Sequence, residues 1–437
     1  MKTESDYARK FENFRGRTLF ELLSAEQQAF LRGVAFDLRL TFQEFRRLAE
    51  IERDLAMWGQ PGLEQWWKTA VSVGRGGGRE FKDRILSRLG EYVAGLERGL
   101  TRYASGGGPG PPRRPTKPVV TRASDKAIVG MCPVASEKTV CCNLRTVDAV
   151  ENCVFGCSYC TVQTFYTQNI VFDAEFAAKL KSVEVDPDRF YHFGTGQASD
   201  SLAWGNKNGI LDALCEFAAE HPNVLVELKT KSDNVRYFME KDVPRNVVCS
   251  WSLNTPVVIE NEEHFTADLD RRLDAARAVA GRGLGVAFHF HPMVYYDGWR
   301  EDYQRVASTL LDSFEPQEVQ FVSFGSVTLI KPVIRKIREL GNPTKILQTE
   351  LVPDPHGKLT YPDDIKVEMF ATMYRAFEAW RGQVFLYLCM EKRSIWERSF
   401  GYVYADNEEF EADFGQKTME KAGGRKRMSQ TKALHRM

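Results

Sequence analysis

The stretch Leu144-Arg145-Thr146-Val147-Asp148-Ala149-Val150-Glu151-Asn152-Cys153-Val154-Phe155-Gly156-Cys157-Ser158-Tyr159-Cys160 decides how this chain is read. Its first part, Leu144–Val150, reads as a short β-strand. Its second part sets three cysteines at C-x3-C-x2-C spacing in the loop that follows. Working outward, short β-like runs alternate with helix-like runs. Strands are expected at Leu144–Val150, Arg189–Phe193, Val224–Lys229, Val247–Leu253, Gly285–Phe290 and Glu318–Ser323. Helices are expected at Ala174–Lys181, Asn208–Ala219, Asp233–Met239, Asp268–Ala280, Tyr303–Ser313 and Pro332–Leu340. Strand–helix units in this order predict an α/β fold, a parallel sheet with helices outside it. Right-handed crossovers curl such a sheet into a partial or full (βα)6 TIM-like barrel. Its chemistry belongs at the C-terminal strand ends, where the cysteine loop falls. A further strand at Lys345–Glu350, a helix at Val367–Trp380 and a strand at Val384–Cys389 follow.

Thiolates are the usual ligands of iron–sulfur clusters. Three of them can hold a [4Fe–4S] cube and leave its fourth iron open to chelate an amino and a carboxylate group. A structural zinc site usually needs four protein ligands, and no fourth Cys or His stands near Cys153, Cys157 and Cys160. A zinc loop or a chance cluster is the competing reading. Gly156 is expected to let the backbone bend closely around the cluster.

The 437 residues carry no net formal charge, with 43% hydrophobic and 27% charged residues. That is ordinary for a soluble globular protein and excludes a global basic field for nucleic acid; such binding needs local patches. No apolar run is long enough for a bilayer, and the charged start MKTESDYARKFENF lacks a signal-peptide core. A cytoplasmic location is expected. Nine cysteines in that reducing compartment argue for metal chemistry over disulfides.

Residues 1–104 read as a helical domain, with Leu19–Leu23, Phe30–Leu40 and Phe81–Leu100 as apolar patterns and Trp58, Trp66 and Trp67 packing them. A Gly/Pro linker at 105–118 separates it from a catalytic domain at 119–405. A polar tail at 406–437 ends in Gly423-Gly424-Arg425-Lys426-Arg427, Lys432 and Arg436, the composition of a solvated segment.

The triad, the aromatic before its last cysteine and the strand–helix layout resemble the radical SAM superfamily, over about residues 145–390. Further segments narrow the resemblance to the spore photoproduct lyase-like group, which repairs a UV thymine lesion. They are Phe193–Asp200, ending in Ser199-Asp200; Leu228–Lys231; Ser250–Asn254; Asp270–Arg277; His291-Pro292-Met293 with Gly298-Trp299; and Lys331-Pro332. The resemblance implies that the cluster splits S-adenosylmethionine (SAM) into methionine and a 5′-deoxyadenosyl radical, which takes a hydrogen atom from a substrate. It implies cofactor contacts for Lys231, Ser252, Asn254, Ser199, Asp200 and His291. It gives Tyr159 a place near the adenine. It implies a reductant such as flavodoxin or ferredoxin, and DNA or another nucleic acid as partner.

Alternation on the fourth strand turns Ser250, Ser252 and Asn254 inward and Cys249, Trp251 and Leu253 toward the helices. His289 and His291 point the same way, to substrate or SAM in preference to metal. Cys132, Cys141 and Cys142 read as buried thiols, with a second cluster or hydrogen donation as alternatives. One departure matters. The family carries a hydrogen-donating cysteine two residues before its Ser-Asp, and Gln197 stands there. Tyr159, Tyr191 and Cys389 are the alternative donors, or the substrate differs. A radical SAM enzyme acting on RNA, a peptide or a metabolite, and a non-enzymatic cluster protein, therefore remain as alternatives. Residues 1–104 are expected to be dispensable for SAM cleavage.

Overall fold

A computed structural model describes residues 2–72, 78–103, 116–132, 138–165 and 168–434. Most of the Gly/Pro linker lies outside these residues, as do the side chains beyond residue 423.

The main sheet is built of β1 (Arg145–Val147), β2 (Tyr191–Thr195), β3 (Val224–Thr230), β4 (Val247–Ser252), β5 (Gly285–Met293), β6 (Val319–Ser326) and β7 (Phe385–Leu388), side by side in that order. All neighbours in this run are parallel. An antiparallel strand, Val129–Met131, pairs on the outer edge of β1. β7 does not pair with β1, so the barrel is partial. One bridge, Val140 to Glu391, ties its two edges together. Strands buried on both faces read as apolar runs, and here Val224, Leu225, Val226, Val248, Val286, Phe288 and Val322 have no appreciable exposure. The predicted helices lie at Phe176–Lys181, Ile210–Glu220, Arg236–Glu240, Leu269–Gly281, Trp299–Ser313 and Lys331–Leu340.

Two sequence expectations are corrected. Lys345–Glu350 is a buried loop, because its neighbours bond to the N-terminal helices instead of to a strand. Thr344 N–H donates to Met57 O (3.2 Å) and Glu350 N–H to Glu97 O (3.1 Å). The polar tail is a helix, Asn407–Leu434. Phe410 and Phe414 are fully buried at its start. Phe414 packs on His192, Phe321, Phe385 and Tyr387, closing the end of the barrel away from the strand C-termini.

The N-terminal helices are Lys2–Arg15, Ala25–Leu38, Phe42–Trp58, Leu63–Ser72 and Arg79–Arg98. Capping boxes start two of them: Ser24 with Gln27, and Thr41 with Glu44. Gly59, at φ +69°, ends Phe42–Trp58. Trp58 is buried, and Trp66 meets Trp67 and stacks on Tyr92. This bundle is docked on the barrel. The Arg338 guanidinium grips Asp54 through two bonds (2.8 and 2.7 Å), and Arg53 donates to the Arg338 and Glu339 carbonyls.

Candidate active site

The cysteine loop leaves β1 and is held from two sides. Asn152 adopts φ +72°, a conformation that Asn tolerates. Its Oδ1 accepts from the Cys153 N–H (2.9 Å) and from Lys117 Nζ (2.8 Å), and Lys117 also reaches the Cys153 carbonyl. On the other side, Gly156-Cys157 pairs antiparallel with Glu263-His264. Gly156 does not have the positive φ of a sharp bend. A Cβ there would come 3.2 Å from the Phe265 ring, so glycine allows a closer approach of the two segments.

All three cysteines line a cavity of about 240 Å³ at the C-terminal ends of β2–β5. Gln197, Ser199, Lys229, Lys231, Ser252, His289 and His291 line it with them. Burial pushes the free thiols up, Cys153 to about 12. A thiolate there needs a strong positive partner. Among the described residues no group of His, Cys, Asp or Glu is arranged to hold a single metal ion. A four-iron cluster makes a different demand, taking each thiolate at a separate iron. Three thiols lining one open cavity fit that donor set.

The remaining expected site residues divide. Lys231 lies on the rim, with its ammonium 5.8 Å from the centre of the Tyr159 ring. Ser199 Oγ is buried and has no hydrogen-bond partner among the described residues, an acceptor and donor left for a ligand. Asp200 borders the cavity, but its oxygens are taken. They accept from the Leu202, Ala203 and Lys231 N–H groups and from Thr230 Oγ1, stapling the β2 exit to β3. Asn254 does not line the cavity. β4 ends at Ser252, so alternation stops before it. Asn254 is fully buried, donating to Pro292 O (2.9 Å) and Glu263 and accepting from Tyr303 Oη (2.5 Å). Tyr159 also lies off the cavity. Its hydroxyl donates to Glu263, and burial together with that carboxylate drives its pKa far up.

The inward face of the barrel is polar, as the alternation of His289 and His291 suggested. In register across the sheet run Ser252, His289, Ser323 and Tyr387. His289 Nδ1 meets Ser323 Oγ at 2.5 Å, and Ser323 Oγ meets His291 Nε2 at 3.1 Å. Beneath them lies Glu227, bonded to His192, His289 and Ser250, with the Lys229 ammonium 3.6 Å away. Burial alone would raise the Glu227 carboxyl, but Lys229, His289 and His192 outweigh it and hold it well below its ordinary value. Burial and the neighbouring His289 push His291 well below the usual imidazole value, so it faces the cavity neutral.

Glu227, Lys229, Lys117, Glu263 and Arg272 carry site geometry that motif reading missed. A signal existed for two of them: Glu227, Lys229 and Lys231 alternate in an otherwise apolar strand. Arg272 is fully buried, grips Glu263 (2.7 Å) and donates to the Ser252 carbonyl (2.8 Å).

Residues 145–346 match the family model of spore photoproduct lyase. Over this stretch the barrel is similar to spore photoproduct lyase. Curated spore photoproduct lyases are similar to part of the chain. The one from Clostridium acetobutylicum is 22% identical over 196 residues, 43% of this chain and 58% of its own. That from Geobacillus sp. is 25% identical over 208 residues, 46% and 61%. That from Bacillus subtilis is 26% identical over 203 residues, 44% and 59%. The chain thus spans about three fifths of the relatives it matches. The fold is shared with solved spore photoproduct lyases. One is complexed with dinucleoside spore photoproduct: TM-score 0.53, 20% identity, covering 62% of this chain and 82% of that one. Another, a double mutant with bound AdoMet and the same dinucleoside, gives 0.52, 20%, 61% and 81%. The N-terminal bundle lies outside the family match.

Proposed function

We propose that this protein is a radical SAM enzyme, with a [4Fe–4S] cluster on Cys153, Cys157 and Cys160, acting on nucleic acid in thymine-lesion repair chemistry. The observation that carries the reading is the gathering of those three thiols in one cavity with Lys231, Ser252, Ser199 and His291. When bound, such a cluster supplies the electron that splits SAM into methionine and a 5′-deoxyadenosyl radical. The chain does the rest. Lys231 offers a positive charge to the methionine carboxylate, and Ser252 offers a hydroxyl to the ribose. Neutral His291 and Ser199 complete the polar lining, and the bonded network around Glu227 holds the His289 ring in place below it.

The matched relatives are spore photoproduct lyases, and one solved relative holds a dinucleoside lesion. For this chain that substrate class is part of the proposal. A lesion in a duplex has to be extruded to reach the cavity, at a cost of a few kcal/mol. The reading also takes a reductant of the flavodoxin or ferredoxin kind and a cytoplasmic location. Among the described residues no helix is long and apolar enough to cross a membrane.

Gln197, on the cavity wall where the family places a hydrogen-donating cysteine, favours a second reading: the same radical chemistry on another substrate. The deciding experiment is anaerobic reconstitution with SAM, dithionite and candidate nucleic acids, scored for 5′-deoxyadenosine and for altered substrate. No 5′-deoxyadenosine from iron-loaded protein would end both readings.

A further inference from the structure

The N-terminal bundle reaches the back of the cysteine loop through the Glu262 carboxylate. Glu262 has no exposed surface. Its Oε1 accepts from Tyr103 Oη (2.8 Å) and from the Lys345 N–H (2.8 Å), and its Oε2 accepts from Thr344 Oγ1 (2.6 Å). All three donors depend on the bundle. Tyr103 closes the segment that leaves it: Thr101 O accepts from the Asp297 N–H (2.8 Å), and Thr101 and Thr349 share a hydroxyl contact at 3.2 Å. The loop carrying Thr344 and Lys345 is held to it by the bond to Met57 O. On the other side, the Glu262 carbonyl accepts from the Ser158 N–H (2.8 Å), between Cys157 and Cys160. The next residue, Glu263, is the ladder partner of Cys157 and bonds the Tyr159 side chain. A buried carboxylate that loses a donor does not regain it from water, so the node resists sliding.

We propose that Tyr103 is a positioning residue for the cysteine loop: through Glu262, the N-terminal bundle fixes the backbone that presents Cys157 and Cys160. This deepens the proposed function, because it makes residues 1–103 part of the cluster site instead of a dispensable appendage.

The test uses the full chain and follows backbone hydrogen exchange by mass spectrometry. It compares wild type, Tyr103→Phe and the control Tyr7→Phe, whose hydroxyl donates to Leu40 O (2.9 Å) inside the bundle. Losing a bond to a buried carboxylate should speed exchange across residues 153–163 by about tenfold in Tyr103→Phe. Exchange there should be unchanged in Tyr7→Phe, and β3–β5 should be unchanged in both. After anaerobic reconstitution, Tyr103→Phe should also give up iron to a chelator several-fold faster than wild type. If Tyr103→Phe does not fold, Glu262→Gln takes its place with the same expectation. Unchanged exchange at 153–163, or an equal rise in the control or throughout β3–β5, overturns the proposal. A wild type that takes up no iron would instead end the cluster reading, and the exchange result would stand by itself.

Discussion

The Tyr159 hydroxyl donates to the Glu263 carboxylate, and this bond holds the ring between the cysteine loop and the strand segment behind it, away from the cavity. Arg272 and Lys231 outweigh the burial that would raise Glu263, so the carboxyl stays below its ordinary value and accepts as an anion. Tyr159 is therefore a brace. Tyr159→Phe is expected to lower stability by about 1–3 kcal/mol, the cost of a bond to a charged acceptor. SAM cleavage by the loaded variant should stay within a few-fold of wild type. Urea denaturation and a 5′-deoxyadenosine assay check the two halves.

Cys157→Ala removes the most enclosed thiol of the three, 7% exposed. A protein with that change should fold with wild-type far-ultraviolet circular dichroism and lose the cluster. Iron and sulfide analysis after anaerobic reconstitution, with the electron paramagnetic resonance spectrum of the reduced protein, measures it. A normal iron content and spectrum would remove the cysteine triad from the reading.

Gly196 joins β2 to the cavity wall at φ +95°. A Cβ there would lie 2.8 Å from both the Lys229 Cβ and the Lys229 carbonyl oxygen. Backbone cannot yield as a flexible side chain does. Gly196→Ala should cost roughly 1–3 kcal/mol from the φ alone, with the clash in addition. Chemical denaturation should show it, and Gly382→Ala, also at positive φ (+75°) but with open space around its Cβ, should lose less.

Phe414→Ala should destabilise the protein by about 3–5 kcal/mol, because the ring fills the closed end of the barrel against the rings of His192, Phe321, Phe385 and Tyr387. Urea midpoints measure this. A change within a few tenths of a kcal/mol would mean that the C-terminal helix is not the plug of the barrel.

The barrel was legible because its strands are buried on both faces and its helices amphipathic, so each unit announced itself within a dozen residues. Predicted and observed strands differ mainly at their ends, as with Arg189–Phe193 against Tyr191–Thr195. The tail was misread because composition over Asn407–Met437 is dominated by charge, while two rings one helical turn apart, Phe410 and Phe414, determine where it packs. The cysteine loop was legible from spacing. Its supports were not: Glu262, Glu263 and Arg272 come from a later segment, and nothing local to them signals that Cys157 pairs with Glu263. Asn254 was placed in the site by extending strand alternation two residues past the strand end.

Gln197 sets the remaining question. A thiol S–H is weak enough to give a hydrogen atom to a carbon radical; an amide N–H is not. Of the alternative donors, Tyr159 is tied to Glu263. Tyr191 stands on β2 and does not line the cavity, and Cys389 borders a separate small pocket beyond β7. Gln197 itself faces the cavity beside Lys229 and His291, where its amide can donate and accept toward a base edge. Wild type given dinucleoside spore photoproduct, SAM and dithionite is therefore expected to form 5′-deoxyadenosine with little multiple-turnover repair. Gln197→Cys should raise the yield of repaired thymines per 5′-deoxyadenosine about tenfold or more, a gap of about 1.4 kcal/mol between productive and unproductive partition. Chromatographic quantification of both products gives the ratio. Efficient multiple-turnover repair by wild type, unimproved by the substitution, would show that the amide is no obstacle and that another group returns the hydrogen.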